Sequence, residues 1–545
     1  MNTTVKRFGL LILIMVISLK IEAAIPHLEV HGSAVQLVVK DKPMLLLAGE
    51  LGNSSASSAN YMAPHWARLQ RMHLNTVLAP VSWELVEPEE DHFDWQSVDS
   101  IIKAARAHDL KLVLLWFGAW KNSMSTYAPS WVKRDESRFP RAQLPDGRGE
   151  DILSAFSPAL RDADAHAFAA LMMHLKQVDQ NDNTVLMIQV ENEMGMLPVA
   201  RDYSEAAAQR FNDSVPPLLI HKLDALSAGS RLRELWQAHG AKQQGSWPTL
   251  FGDGDAGAEV FTAWYYASYA ESVAAAGKAV YPLPMYVNAA LNRTGKAPGE
   301  YPSGGPLPHL LEVWKTAAPS IDLLAPDIYF PNFVDLATVY KRKDNALFIP
   351  EANHVGNPQI PANAFYAFGK LDAIGFGPFS VESVDDSQPN VLVDAYAVLE
   401  QLSPAILANQ GMQRMSGFKP RVLENGTVID TPVTETIGAY TFTVSFVDNQ
   451  SPKDQQDTAS HGGIIIQTGA EDYLVAGQGM IVTFSPADAT QGSAGIDYAW
   501  EGAFDTHGHW MNGRRLNGDQ THQGRHLRLA PGKFQIQKIR LYHYY

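Results

Sequence analysis

The chain has 545 residues, 46% of them hydrophobic and 19% charged, with a formal net charge of −15 and no cysteine. The length exceeds what one hydrophobic core usually supports and the composition is globular, so two or more domains are expected and a disordered chain is excluded. The negative balance argues against nucleic acid, whose phosphates are met by clustered Lys and Arg, and the missing cysteines exclude disulfides, thiolate chemistry and zinc–cysteine sites.

The amino-terminal stretch has Lys6 and Arg7, an apolar run from Phe8 to Leu19, and then Ala23 and Ala24. The run is shorter than the roughly 20 apolar residues that span a bilayer, so it reads as a signal peptide over 1–23, with an uncleaved anchor as the alternative. The expected mature protein is exported, periplasmic or extracellular, and free of the membrane after cleavage.

From residue 43 onward, apolar runs of strand length alternate with amphipathic helices. The predicted strands are MLLLAGE (44–50), NTVLAPVSW (75–83), KLVLLWFGAW (111–120), VLMIQVENE (185–193), PMYVNAAL (284–291), DLLAPDIYF (322–330), ALFIPEANH (346–354) and AIGFGPFSVES (373–383). Between them, Val98, Ile101, Ile102 and Ala105 fall at helical spacing, as do Phe168, Leu171, Met172 and Leu175. Doubly buried strands alternating with helices imply a parallel sheet, and eight such units close most naturally into a (β/α)8 TIM barrel, expected over 24–407. After 408 the pattern changes to short alternating segments such as AYTFTVSFV and FQIQKIRLYHYY, which predicts a C-terminal antiparallel β-sandwich over 408–545. The Gly- and Pro-rich stretch 291–309 is expected to roof the barrel mouth.

Each predicted barrel strand ends in polar or aromatic residues: Glu50, Trp83 with Glu84, Trp116 with Trp120, Asn192 with Glu193, Asn288, Tyr329, Glu351 and Glu382. Barrel sites form at the carboxyl ends of the strands, so these side chains converge on one mouth. Glu193 and Glu351, on the fourth and seventh strands, are the kind of pair that breaks a glycosidic bond, one carboxyl protonating the leaving oxygen and the other acting at the anomeric carbon. Aromatic rings and amides suit a sugar's apolar faces and hydroxyls.

The blocks DKPMLLLAGE, HLNTVLAPVSWELVEPEEDHFDW, MIQVENEMG and LFIPEANH resemble those of glycoside hydrolase family 35, retaining β-galactosidases on a (β/α)8 barrel. The resemblance covers 43–400 and implies that Glu193 is the general acid/base, Glu351 the nucleophile, and Asn192 a partner of the sugar hydroxyl next to the reacting carbon. Two departures stand out from the better-known members. Their TYVPW is APVSW here, with Pro80 in place of a tyrosine, and their AEW is replaced by Ala119, Trp120 and Lys121. GELGNSSASS and LWFGAWKNS, with the β-rich tail, resemble a bacterial branch that includes enzymes taking galactose from xyloglucan.

Other residues carry weaker expectations. Strand-end acids also cap helices or pair with Arg, and Glu191 reads as structural because side chains alternate along a strand. Tyr329 is placed to hold the nucleophile by a hydrogen bond. Trp116 or Trp120 is expected to line the pocket, although core burial is the commoner fate of an aromatic and is the reading for Trp83. Asn53, Glu84 and Asn288 are substrate-binding candidates by position. His354 reads as a loop residue, and His507, His509, His522 and His526 as surface histidines without metal-ligand spacing. No metal or cofactor is implied, and the oligomeric state is open. The sequence thus predicts an exo-acting β-galactosidase, with another retaining barrel glycosidase, such as a β-glucosidase or α-L-arabinosidase, or a non-catalytic carbohydrate-binding protein as the alternatives.

Overall fold

The structure is a computed structural model that describes residues 24–385, 390–452, 454 and 456–545. The signal-peptide stretch, 1–23, lies outside the described residues.

Eight parallel strands form the barrel: β1 (Leu46–Glu50), β2 (Thr76–Ser82), β3 (Lys111–Lys121), β4 (Val185–Asn192), β5 (Met285–Ala290), β6 (Leu323–Asp327), β7 (Phe348–Ile349) and β8 (Gly375–Phe376). Each falls within a predicted run, except that β3 extends one residue further, to Lys121. In the sheet, β8 pairs with both β1 and β7. The ring is completed by a parallel bridge from Asp327 to Glu351, with Ile328 N donating to Glu351 O at 2.8 Å. The closing contact of the barrel is therefore made by two acidic residues.

The strands form because they are buried on both sides. Every residue of β2 and β4 is buried, and both strands are mainly apolar until they turn polar toward the mouth, as with Glu191 and Asn192 in β4. The helices α1 (Gln96–Ala107), α2 (Pro158–Asp179), α3 (Asp255–Val280), α4 (Ile360–Lys370) and α5 (Val391–Asn409) cover the outside. In α1 the buried residues are Val98, Ile101, Ile102 and Ala105, at the predicted spacing. α2 starts sharply because Ser157 accepts a hydrogen bond from Leu160 N and proline occupies the first turn. α5 is long and apolar enough to cross a membrane by composition. Here it buries Tyr396, Leu399 and Leu402, and the Tyr396 hydroxyl bonds to Ala48 O and Phe376 O, so it is a barrel helix.

A three-stranded antiparallel sheet, His27–His31, Ala34–Val39 and Lys42–Met44, precedes β1. Leu37 and Val39 pack with Leu46, Val113, Leu323 and Phe348 inside the barrel and seal the end opposite the active mouth. The strand pattern of 24–43 was too short and too mixed to predict this plug.

The C-terminal part is all antiparallel. Its six-stranded sheet contains Met415–Phe418, Gly462–Gln467, Asp472–Gln478, Gln535–Tyr544, Ser493–Phe504 and Trp510–Leu516, and a four-stranded sheet faces it. Phe442, Val444, Ile465, Tyr473, Val482 and Leu541 fill the space between the sheets, as a sandwich requires. The other side of the larger sheet packs on the barrel, where Ile464, Ile466, Leu474 and Ile536 join the barrel's own core. Gly417 permits this docking, since a Cβ there would collide with the backbone of Phe365 and Tyr366 in α4.

Candidate active site

At the end of β4 the chain departs from regular strand geometry. Glu191 and Glu193 both have positive φ, 60° and 45°, which is rare for residues with side chains and costs energy that surrounding contacts must offset. The register between β3 and β4 also shifts between Trp116 and Lys121. The two acids of Val190-Glu191-Asn192-Glu193 are thereby separated. Glu191 turns outward to α2, accepts from Trp120 N at 2.8 Å and meets Asp164, while Asp164 accepts from Trp116 Nε1 and Tyr269 Oη, each at 2.9 Å. Burial, followed by the neighbouring Asp164, holds the Glu191 carboxyl well above the usual range, so this pair shares a proton behind the barrel wall. Gly118 is required there because a Cβ would clash with Trp116 Nε1 and Glu191 Oε1.

Glu193 turns inward instead. Its backbone N donates to Asn288 Oδ1 at 2.9 Å, and Asn288 Nδ2 donates to Asp327 Oδ2 at 2.7 Å. Asn122 Nδ2 donates to Glu193 Oε2, and Lys121 Nζ to Asn122 Oδ1. Across the mouth, Tyr329 Oη donates to Glu351 Oε2 at 2.6 Å. Carboxylate oxygens of Glu193, Asp327 and Glu351 lie within 4.8 Å of one another. Glu50, at the end of β1, is within hydrogen-bonding reach of Glu351.

All four carboxyls are buried, with Lys121 the cation facing them. Four negative charges cannot share such a site, so protons must be retained. Burial, then the charge of Glu351, raises Glu193 to about 7, with Lys121 pulling the other way. The same two causes push Glu50 and Asp327 well above the ordinary range. The result is an acid poised near neutrality beside a carboxylate that Tyr329 holds in place.

Glu193 and Asp327 open into a cavity of about 410 Å³, with Asn122, Tyr329, Tyr301 and Phe330 also in its wall. Arg293, Tyr301 and Pro302 come from the 291–309 loop, which therefore forms part of the cavity wall at the mouth. Asn192 is fully buried, and neither of its side-chain polar atoms has a protein partner among the described residues. Asn53 is half-buried with its Oδ1 likewise unpartnered.

Three placements correct the sequence reading. Trp116 is buried between β3 and α2, bonded to Asp164 and packed on Phe168. Trp120 lies against Tyr266 and Tyr269 of α3. Both belong to the outer core and do not line the cavity: Trp116 faces the helices by regular alternation with Leu112 and Leu114, and Trp120 lies beyond the register shift that follows Trp116. Glu84 is tied to Lys133 at 3.2 Å instead of joining the carboxyl cluster. Of the histidines, His354 is exposed and touches the Tyr329 ring edge-on, and His507, His509 and His522 are exposed.

Sequence reasoning missed Lys121, Asn122 and Asp327 as site residues and did not assign Glu50 a role. Asp327 and Glu50 carried a signal, being charged residues inside otherwise apolar strand runs. Asn122 carried none. Glu193, Asp327 and Glu351 would also be the residues to hold a cation, as would Glu87, Asp91 and His166 elsewhere. In the first group, however, the raised proton affinities of Glu193 and Asp327 and the hydrogen bonds from Asn122, Asn288 and Tyr329 fit proton sharing between carboxyls.

A closed (β/α)8 barrel with paired carboxyls in a covered cavity at its C-terminal mouth is the arrangement of a glycoside-hydrolase-like protein. Comparison with known proteins agrees at that level. Residues 57–228 match the family model Glyco_hydro_42, described as beta-galactosidase, and residues 392–528 match DUF5597, a domain of unknown function. The matching β-galactosidase family is not the one the sequence blocks resemble, so the assignment to family 35 is not supported. No curated protein matches. Among solved structures, the chain is similar to the β-galactosidase of the psychrophilic Marinomonas ef1, at 12% identity over 67% of this chain and 60% of that one, with a TM-score of 0.45. It is also similar to the β-galactosidase of Bacillus circulans sp. alkalophilus, at 14% identity over 67% and 57%, TM-score 0.43. A third similar structure is the β-amylase catalytic domain of Paenibacillus polymyxa, at 13% over 67% and 98%, TM-score 0.45. The chain therefore spans only 60% and 57% of the two β-galactosidases' lengths.

Proposed function

We propose that the protein is a retaining exo-β-galactosidase that removes terminal β-galactose from oligosaccharides or polysaccharide side chains. The observation that supports this reading is that one carboxyl oxygen of Glu193 lies within 4.8 Å of one of Glu351, with Glu193 and the Glu351 partner Tyr329 lining the cavity at the barrel mouth. Retaining glycosidases place their two carboxyls about 5 to 5.5 Å apart, whereas inverting ones leave about 6.5 to 9.5 Å for a water. Glu351 attacks the anomeric carbon as the C–O bond to the leaving group breaks, and Glu193 delivers its proton to the departing oxygen. Glycosylation removes the charge that raises Glu193, which then takes a proton from the incoming water as the ester to Glu351 is cleaved. Tyr329 orients Glu351, and Asn192 offers its free amide to the adjacent sugar hydroxyl.

The covered mouth supports exo action, and the 57–228 match supports galactose as the sugar. Xyloglucan side chains are proposed as the source on the blocks GELGNSSASS and LWFGAWKNS alone, without support from the family match, and export is proposed from the amino-terminal apolar run. The deciding experiment uses a fluorinated galactosyl inactivator, followed by peptide mapping. Labelling of Glu351, with the β-anomer as first product by NMR, is the expected result; labelling elsewhere or an α-anomer product overturns the mechanism. A panel of aryl glycosides tests the sugar, and preference for β-glucoside or α-L-arabinoside would replace galactose.

A further inference from the structure

The loop that covers the catalytic cavity has a second cavity on its other side. This one has a volume of about 540 Å³ and is enclosed by the loop, the helix Arg231–Ala238 and the start of α3. Arg293 and Tyr301 belong to the walls of both cavities, so one residue pair forms the partition between them. The turn is shaped by Gly295 and Gly299, whose φ values of 76° and 93° suit glycine. It is anchored by Gly299 N donating to Ser303 Oγ at 2.7 Å and by the Met196–Ser303 bridge.

The second cavity contains a built polar group. Glu259 is 3% exposed, and one of its oxygens accepts from Tyr301 Oη at 3.2 Å and pairs with His309 Nε2 at 2.7 Å. Its other oxygen, Oε1, is buried and has no partner among the described residues. A buried carboxylate oxygen without a donor is costly unless a donor arrives. Leu235, Pro298 and Leu310 supply apolar wall, while Arg231 and Arg293 stand at the rim. An acceptor set in an apolar wall with donors at the rim matches a saccharide, which offers hydroxyl donors, hydroxyl acceptors and C–H faces.

We propose that this second cavity is a binding site for the saccharide on the leaving-group side, continuing past Arg293 from the sugar bound at Glu193 and Glu351. The assignment rests on the glycosidase reading above. In it, a hydroxyl of the leaving saccharide donates to Glu259 Oε1, and Tyr301, held by Glu259, stands between the two sugars. The cavity then contributes to affinity for long substrates and nothing to the chemistry of short ones.

The test fills the second cavity without touching the first. Ala238 is exposed at the end of its helix, so Ala238→Trp is compatible with folding while occupying the space. Expected are unchanged kinetics on an aryl β-galactoside and a rise of about tenfold in KM for a galactosylated xyloglucan oligosaccharide, with Glu259→Gln giving a smaller rise in the same direction. Calorimetry with the degalactosylated oligosaccharide should show binding to the wild type that is weakened about tenfold in Ala238→Trp. No binding to the wild type, or equal binding and equal oligosaccharide KM in both proteins, overturns the proposal. If the wild type cleaves no aryl β-galactoside the glycosidase reading fails, and the calorimetric comparison still decides the cavity.

Discussion

Replacing Glu193 with glutamine should abolish turnover of natural substrates and also stabilise the protein above neutral pH. Burial and the charge of Glu351 raise this carboxyl from its ordinary 4.5 to about 7. A displacement of that size corresponds to about 3 kcal/mol. The sign follows from proton counting. Between about pH 4.5 and 7 the folded state binds more protons than the unfolded one, so the contribution of Glu193 is fully present below 4.5 and is lost as pH rises through 7. Glutamine carries no such penalty. For a chain of 545 residues unfolding as one unit, 3 kcal/mol is about 3 °C in Tm. The assay is thermal unfolding of wild type and Glu193→Gln at pH 4.5 and pH 8, run beside the pH dependence of kcat/KM. The expected Tm gain of the variant is near zero at the lower pH and about 3 °C at the higher, and the wild type should lose activity with a basic limb near 7. Equal Tm differences at both pH values, or a basic limb remote from 7, would refute the assignment of Glu193 as the protonated partner.

Lys121→Met removes the cation that opposes the rise at Glu193, so the basic limb of kcat/KM should move alkaline by up to about one pH unit. Tyr329→Phe deletes the 2.6 Å hydrogen bond to Glu351 and should lower kcat/KM about ten- to hundredfold, with an unchanged unfolding midpoint in denaturant. Trp116→Phe leaves Asp164 short of a donor in the outer core, so it should cost about 1 to 3 kcal/mol in denaturant unfolding while kcat and KM stay as they are. A changed KM there would return Trp116 to the pocket.

The barrel could be read from sequence because its strands are buried on both faces. Such strands must be nearly continuous apolar runs, and β3 and β4 are buried along almost their whole length. The place where each run turns polar marked the mouth, which is how Glu193, Glu351, Asn288 and Tyr329 were found without any view of their contacts. Direction was not readable in this way. Trp116 shares the outward face of β3 with Leu112 and Leu114, but alternation does not say which face is outward, and the place of Trp120 lies beyond a register shift between Trp116 and Lys121 that leaves no mark in residue order. The cluster itself is also a property of closure. Glu50, at the end of β1, is far in the chain from Asp327 at the end of β6 and Glu351 just past β7, and it becomes their neighbour only because β8 pairs with both β1 and β7. Sequence determined which residues could carry a proton or a charge; the closed barrel decided which of them must share one, since carboxyls brought together out of water cannot all ionise.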